Sequence, residues 1–231
     1  MSPDLKQKIQ ALVDARNAPE LARRKDYYEY LVQQRRTDGE TLEEHIARFA
    51  DFVRFGPGAT DDEIAQLTER IDTQLPEALL DFYRELGGLR GQGMTIYSPA
   101  ELLVSLSDTV RPYERLYSTG ITDMMRHAWG NDRWEFEPKN ELITQAEIDG
   151  LKSRYHCIGL HGSGDCESHT YLYFDTEGRF GTIHYHQDEF DDLLESTLRP
   201  MLEESPARLT LWEVVLQWLA MPQAGYEDDE E

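Results

Sequence analysis

The histidines and cysteines of this chain are concentrated in one short stretch. Six of seven histidines and both cysteines follow residue 126, and most fall between residues 156 and 186: His156, Cys157, His161, Cys166, His169, His184 and His186. These residue types suggest zinc, but structural zinc sites usually pair ligands as C-x(2–4)-C and H-x(3–5)-H. Eight residues separate Cys157 from Cys166. The spacing therefore argues against zinc, and we predict no metal site and no cofactor.

No residue pattern identifies a catalytic site. Gly162-Ser163-Gly164 lacks the G-x-S-x-G frame of a nucleophile elbow, and it forms neither GxGxxG nor a P-loop. With 45 acidic residues, a pair of carboxylates carries no information. We therefore predict no catalytic residue and no enzymatic activity. A hydrolase or metal-dependent enzyme built on the histidine-rich stretch is a third-ranked alternative, which metal analysis would test.

The charge of the chain restricts its partners. Lys and Arg number 23 against 45 Asp and Glu, a net charge of −22. The first 36 residues carry 8 basic and 5 acidic side chains, so residues 37–231 carry 15 − 40 = −25. Such a surface repels phosphates and anionic lipids and attracts basic proteins. The mean hydropathy of −0.64 and the absence of a long apolar run predict a soluble, cytoplasmic protein without membrane or nucleic-acid partners.

A run of carboxylates is the strongest candidate for a partner-binding surface. Five acids precede an apolar-periodic segment and should fall in the first turns of a helix: Asp188, Glu189, Asp191, Asp192 and Glu195. A solvated face that favours the helix dipole is the alternative interpretation. Trp129 and Trp134, in the aromatic stretch 109–140, are candidate apolar anchors, although such side chains are more often buried in a core.

Helix starts are marked by Ser or Thr followed three residues later by Glu, the capping-box pattern. The pairs are Thr41/Glu44, Thr60/Glu63, Ser98/Glu101, Thr144/Glu147 and Thr210/Glu213. Upstream, the sequence predicts helices over 3–16 and 19–36, separated at Asn17-Ala18-Pro19, and a third over 42–53. Residues 112–128 are predicted to be mostly helical, and two closing helices are expected over about 188–203 and 211–220.

Strands are predicted over 93–97 and within 155–186. In the latter range Tyr155 to Leu160, Tyr171 to Phe174 and Phe180 to His186 are rich in β-formers and are separated by turn residues. This pattern indicates an antiparallel meander.

The order of these signals resembles the SUKH superfamily. A capped helix leads to Gln74-Leu75-Pro76, a second helix ends at Gly87-Gly88, and Gly164-Asp165, the Tyr171–Asp175 run and Gly181–His186 follow. The resemblance covers roughly Gly58 to Ala220. It implies an α+β fold with a mostly antiparallel sheet, packed helices and no enzymatic activity. It transfers no site residue, because the matched positions look like fold markers.

The resemblance divides the chain into a helical N-terminal extension (1–56), a SUKH-like domain (57–221) and an acidic tail (222–231). Many bacterial members of this superfamily are immunity proteins that neutralise a cognate toxin in the producing cell, so the resemblance implies this role. A basic toxin, such as a nuclease, would suit a partner of net charge −22. The alternative is an intracellular scaffold or regulator that binds a host protein, as in the eukaryotic branch that includes the yeast cell-wall-assembly regulator. Oligomeric state stays open.

Overall fold

A computed structural model describes residues 1–71, 73–105, 143–162, 168–186 and 189–221. The helices in these ranges are α1 (Pro3–Gln33), α2 (Leu42–Phe49), α3 (Asp61–Arg70), α4 (Glu77–Leu86), α5 (Pro99–Ser105), α6 (Gln145–Arg154), α7 (Phe190–Leu193), a π-helical turn (Leu194–Leu198), α8 (Arg199–Glu203) and α9 (Leu211–Ala220). No helix in the described ranges combines the length and apolarity needed to cross a bilayer. The helix predicted over 112–128 lies outside the described residues.

All five predicted capping boxes are present. In each, the backbone amide of the Ser or Thr donates to the Glu carboxylate at 2.7–2.8 Å, and the Glu amide donates back to the hydroxyl at 3.2–3.4 Å. These pairs satisfy amides that the first helical turn leaves without partners. Helices α2, α3, α5, α6 and α9 therefore begin where the sequence predicts.

The strands form one six-stranded antiparallel sheet in chain order. They are β1 (Arg54–Phe55), β2 (Leu89–Gly91), β3 (Met94–Ile96), β4 (Tyr155–Gly162), β5 (Ser168–Asp175) and β6 (Phe180–His186). Every neighbouring pair is antiparallel. The predicted meander is confirmed, and the α+β class with it.

Both faces of the sheet are covered by helices. Leu172 and Phe174 of β5 belong to a core with residues of α1, α3, α4 and α9, whereas Tyr171 and Tyr173 belong to a second core with α6 and the α7–α8 segment. Side chains alternate across a strand, so a strand buried on both faces is apolar without interruption. This explains the continuous run from Tyr171 to Phe174.

The turn between α4 and β2 depends on glycine. The φ angle of Gly87 is +62°, in the region that L side chains avoid. A Cβ atom at Gly87 would lie 1.8 Å from the carbonyl oxygen of Pro57. Pro76 precedes the first residue of α4 as its N-cap. The predicted start and end of this helix are confirmed.

The N-terminal helices differ from the prediction. The sequence predicts a break at Asn17-Ala18-Pro19, but α1 runs without interruption from Pro3 to Gln33 with Pro19 inside it. The Asn17 side chain binds the backbone of Val53 twice: its Nδ2 donates to the carbonyl, and its Oδ1 accepts from the amide, both at 2.8 Å. These contacts and the burial of Ile9 and Val13 offset the missing amide of Pro19.

The predicted extension shares the core of the rest of the chain. Ile9 and Val13 of α1 belong to the same apolar cluster as Trp218 and Leu219 of α9. Strand β1, which also falls in residues 1–56, pairs with β2. The domain boundaries at 56 and 221 stay a prediction.

Replacing Asn17 with alanine should lower the free energy of unfolding by about 1–3 kcal/mol, since it removes two hydrogen bonds and leaves the Val53 amide and carbonyl without them. Urea unfolding followed by circular dichroism measures this change. Gln10→Ala is the matched control, because the exposed Gln10 side chain donates to Asp14 on the solvent side of the same helix; this substitution should change stability by less than about 0.5 kcal/mol. Equal effects would show that the Asn17 contacts contribute nothing.

Candidate partner-binding surface

The predicted acidic helix start lies directly after β6. Helix α7 begins at Phe190, and the Glu189 amide donates to the carbonyl of His186 at 3.0 Å. Leu193, Leu194 and Leu198 are at most 6% exposed and fix the α7–α8 segment to the second core. The segment is therefore amphipathic and firmly anchored.

The acidic residues of this segment face solvent. Glu189, Asp191, Asp192 and Glu195 are all exposed, while Asp188 lies outside the described residues. The prediction that these carboxylates share one helix start agrees with the geometry for four of the five, although Glu189 precedes the first helical residue. Whether they bind a partner stays a prediction.

One of the four carboxylates is already engaged within the chain. Arg199 binds Glu195 one turn earlier and Glu147 of α6, with its Nε 2.9 Å from the Glu147 carboxylate. The Thr144 backbone amide and Arg199 hold the pKa of Glu147 below its ordinary value. Glu189, Asp191 and Asp192 have no ion-pair partner among the described residues. These three acids carry the charge that a basic partner would meet.

The two predicted apolar anchors, Trp129 and Trp134, lie outside the described residues. Their role as anchors stays a prediction.

The histidine-rich stretch spreads its side chains over separate contacts. The His156 ring stacks on Phe174 at 5.2 Å, and the His161 ring lies 5.9 Å from Trp218. Burial, with the charge of Arg16, lowers the pKa of His161. No group of three or more His, Cys, Asp or Glu residues in the described ranges is arranged to hold a metal ion. Cys166 lies outside those ranges.

A buried carboxylate closes the β5–β6 hairpin. Asp175 is 2% exposed; it accepts from the amides of Glu177 and Arg179 at 3.0 Å and from the Ser205 hydroxyl at 2.6 Å. The Arg179 guanidinium completes the set at 2.8–2.9 Å. Burial opposes the charged form of Asp175, but these donors outweigh it and lower its pKa. These contacts give Asp175 a structural role in holding the turn.

The sequence did not point to a groove between α1 and α2. Its walls carry Arg23, Arg24, Arg36 and Arg48, a basic surface on a chain of net charge −22. The available signal was the net charge of +3 in the first 36 residues. That signal locates positive charge along the chain, but it does not reveal which arginines converge.

Residues 58–198 match the sequence pattern of the SMI1 / KNR4 family (SUKH-1). The chain belongs to this family. The match covers more than half of the chain and includes α3 through the π-helical turn. No curated protein and no solved structure matches the chain. SUKH-1 proteins include immunity proteins and are generally non-catalytic immunity or regulatory proteins. The match leaves out α1, α2 and α9 of this SUKH-1 protein, and with them the basic groove.

Proposed function

We propose that this SUKH-1 protein is a non-enzymatic immunity protein that neutralises a basic toxin, of the nuclease class, by stoichiometric occlusion. The observation that carries the proposal is the exposed acidic face of the α7–α8 segment in a chain of this family. A nuclease must hold phosphates, so its active-site groove is basic. Carboxylates that occupy this groove would exclude the nucleic acid.

The geometry of the acidic face suits fast recognition. Buried leucines hold Asp191 and Asp192 on a fixed backbone, so few side-chain degrees of freedom need ordering on binding. Opposite net charges raise association rates by roughly 10–10³-fold and make them sensitive to salt. The proposed contact residues are Asp188, Glu189, Asp191, Asp192 and Glu195, with Trp129 and Trp134 as apolar anchors.

Co-expression with the product of the adjacent gene tests the function. Rescue of growth together with a stable complex in a pull-down supports immunity. A chain that neither rescues growth nor binds a toxic neighbour favours the alternative, a cytoplasmic scaffold or regulator with a host protein as partner. Isolation of a complex that still degrades nucleic acid would contradict occlusion as the mechanism.

Neutralising the free acids should slow toxin binding. In Glu189→Gln/Asp191→Asn/Asp192→Asn, we expect the association rate at low salt to fall about tenfold or more, because electrostatic steering is lost. Stopped-flow or surface-plasmon measurements across a salt series give this rate and its salt dependence. The dissociation rate should change less.

The matched control removes the same charge from other exposed acids, in Glu43→Gln/Asp62→Asn/Glu69→Gln. Both variants lose three negative charges, so a general effect of net charge would slow toxin binding equally in the two. Equal slowing, or no change in the first variant, would remove the α7–α8 segment from the binding surface.

A further inference from the structure

An open groove of about 830 Å³ lies between the second half of α1, the connection after it and the second half of α2. Its lining combines guanidinium groups, aromatic rings and one histidine, and includes Arg24, Tyr27, Arg36, His45, Arg48 and Phe49. The volume is typical of ligand-binding clefts. This groove lies outside the residues that match the family.

Four arginines and two acids, Asp38 and Glu40, line the groove, so its walls are net positive. Arg23 and Arg24 both bind the buried carboxylate of Glu20, at 2.7–2.9 Å. Arg48 lies 3.9 Å from Glu40, and exposed Arg36 has no ion-pair partner in the described part of the chain. Guanidinium groups bind carboxylates through two parallel hydrogen bonds, which makes arginine clusters suited to acidic ligands.

His45 supplies a buried polar atom that lacks a partner. The residue is 1% exposed, and its ring lies 4.8 Å from Phe49 and 5.5 Å from Tyr28 between centroids. Its Nδ1 lies 3.2 Å from the Glu40 carboxylate, while Nε2 is buried without a hydrogen-bond partner among the described residues. A buried polar atom without a partner calls for an explanation, and a polar ligand in the groove would supply that partner.

The chain carries a ligand of this chemistry within reach. The carbonyl of Met221, just after α9, accepts a hydrogen bond from Arg16 of α1. Arg16, Arg24, Tyr27 and Leu31 follow helical spacing along one side of α1, and the last three line the groove. At 1.5 Å per residue, the groove wall extends from about 12 to 22 Å beyond Arg16.

The length of the chain after Met221 matches this distance. Five residues lie between Met221 and Glu227, so the chain takes six steps that span about 20 Å at up to about 3.3 Å each. The acidic run Glu227-Asp228-Asp229-Glu230-Glu231 then begins. The run is therefore long enough to reach the α1 wall of the groove, which carries Arg23 and Arg24.

We propose that the groove is a binding site for carboxylate-rich peptide segments, and that it holds the acidic run 227–231 of its own chain. Arg23, Arg24, Arg36 and Arg48 bind the carboxylates. Tethering gives such a short segment an effective concentration in the millimolar range. The proposal concerns a different surface from the toxin-binding face and stands independently of the immunity function.

The test measures binding of a labelled synthetic peptide of residues 222–231 to full-length protein by fluorescence anisotropy at low salt. A tail-neutral variant carries Gln or Asn at all five acids of 227–231. We expect this variant to bind the peptide, and the wild type to bind it at least tenfold more weakly, because the tethered run competes. Adding Arg36→Gln/Arg48→Gln to the tail-neutral variant should weaken binding at least tenfold.

The matched control is Lys25→Gln/Arg70→Gln in the tail-neutral variant, which removes two positive charges outside the groove and should change affinity less than twofold. Thermal unfolding checks that each variant is folded. Absence of binding to the tail-neutral variant overturns the proposal, as does binding that survives loss of Arg36 and Arg48. Equal binding by wild type and the tail-neutral variant would overturn the assignment of the run to the groove of its own chain. A wild-type dimer that the tail-neutral changes dissociate would overturn it as well, because the run would then lie on a second copy.

Discussion

Asp175→Ala should lower the free energy of unfolding by about 2–4 kcal/mol, because the substitution removes the charged acceptor that several hydrogen bonds share. The substitution leaves the Arg179 guanidinium, the Ser205 hydroxyl and two turn amides without their shared acceptor. Chemical denaturation at pH 7 measures the loss. A change below about 1 kcal/mol would mean that water replaces these contacts without cost.

The stability lost on replacing Asp175 should depend on pH. Folding lowers the pKa of Asp175 below its ordinary value of 3.8, so its stabilisation is present above about pH 4 and is lost as the pH falls through the lower, folded-state pKa. The stability difference between wild type and Asp175→Asn should therefore shrink on acidification. Glu204→Ala, which breaks an exposed ion pair with Arg208, serves as the control and should cost about 1 kcal/mol or less.

Trp218→Ala should cost about 3–5 kcal/mol, the range for deleting a large buried aromatic side chain. Trp218 is 1% exposed on α9, in the core that α9 shares with α1, and its ring faces His161 of the sheet. The substitution keeps the backbone carbonyl of residue 218, which accepts a hydrogen bond from Arg16, so the loss of stability reports on side-chain packing. Urea unfolding gives the magnitude.

Hydrogen exchange adds a local readout to the same variant. Because α1 packs on α9, amides near Ile9 and Val13 should exchange faster in Trp218→Ala than in wild type. Half-buried Trp212, six residues earlier on the same helix, is the matched control and should cost clearly less when replaced by alanine. If both substitutions cost the same and α1 amides keep their protection, α1 does not depend on this core.

The sequence by itself determined the helix starts, the meander and the charge of this protein. Thr210 and Glu213 fix a helix start because both partners lie within one turn. Tyr171 and Leu172 fix a strand because alternate side chains meet the two helix layers. The family was also readable, since its motifs are short and ordered along the chain. Four exposed carboxylates at one helix start followed from local spacing alone.

Only the tertiary structure decided the features that join distant residues. Pro19 predicts a break locally, but Asn17 meets Val53, 36 residues away, and the helix continues. The sequence marks Asp175 only as a residue beside a turn, whereas the fold brings Arg179 and Ser205 into contact with its carboxylate. The groove arises in the same way, because charge in a sequence is a sum, whereas an electrostatic site depends on distances between side chains that packing sets.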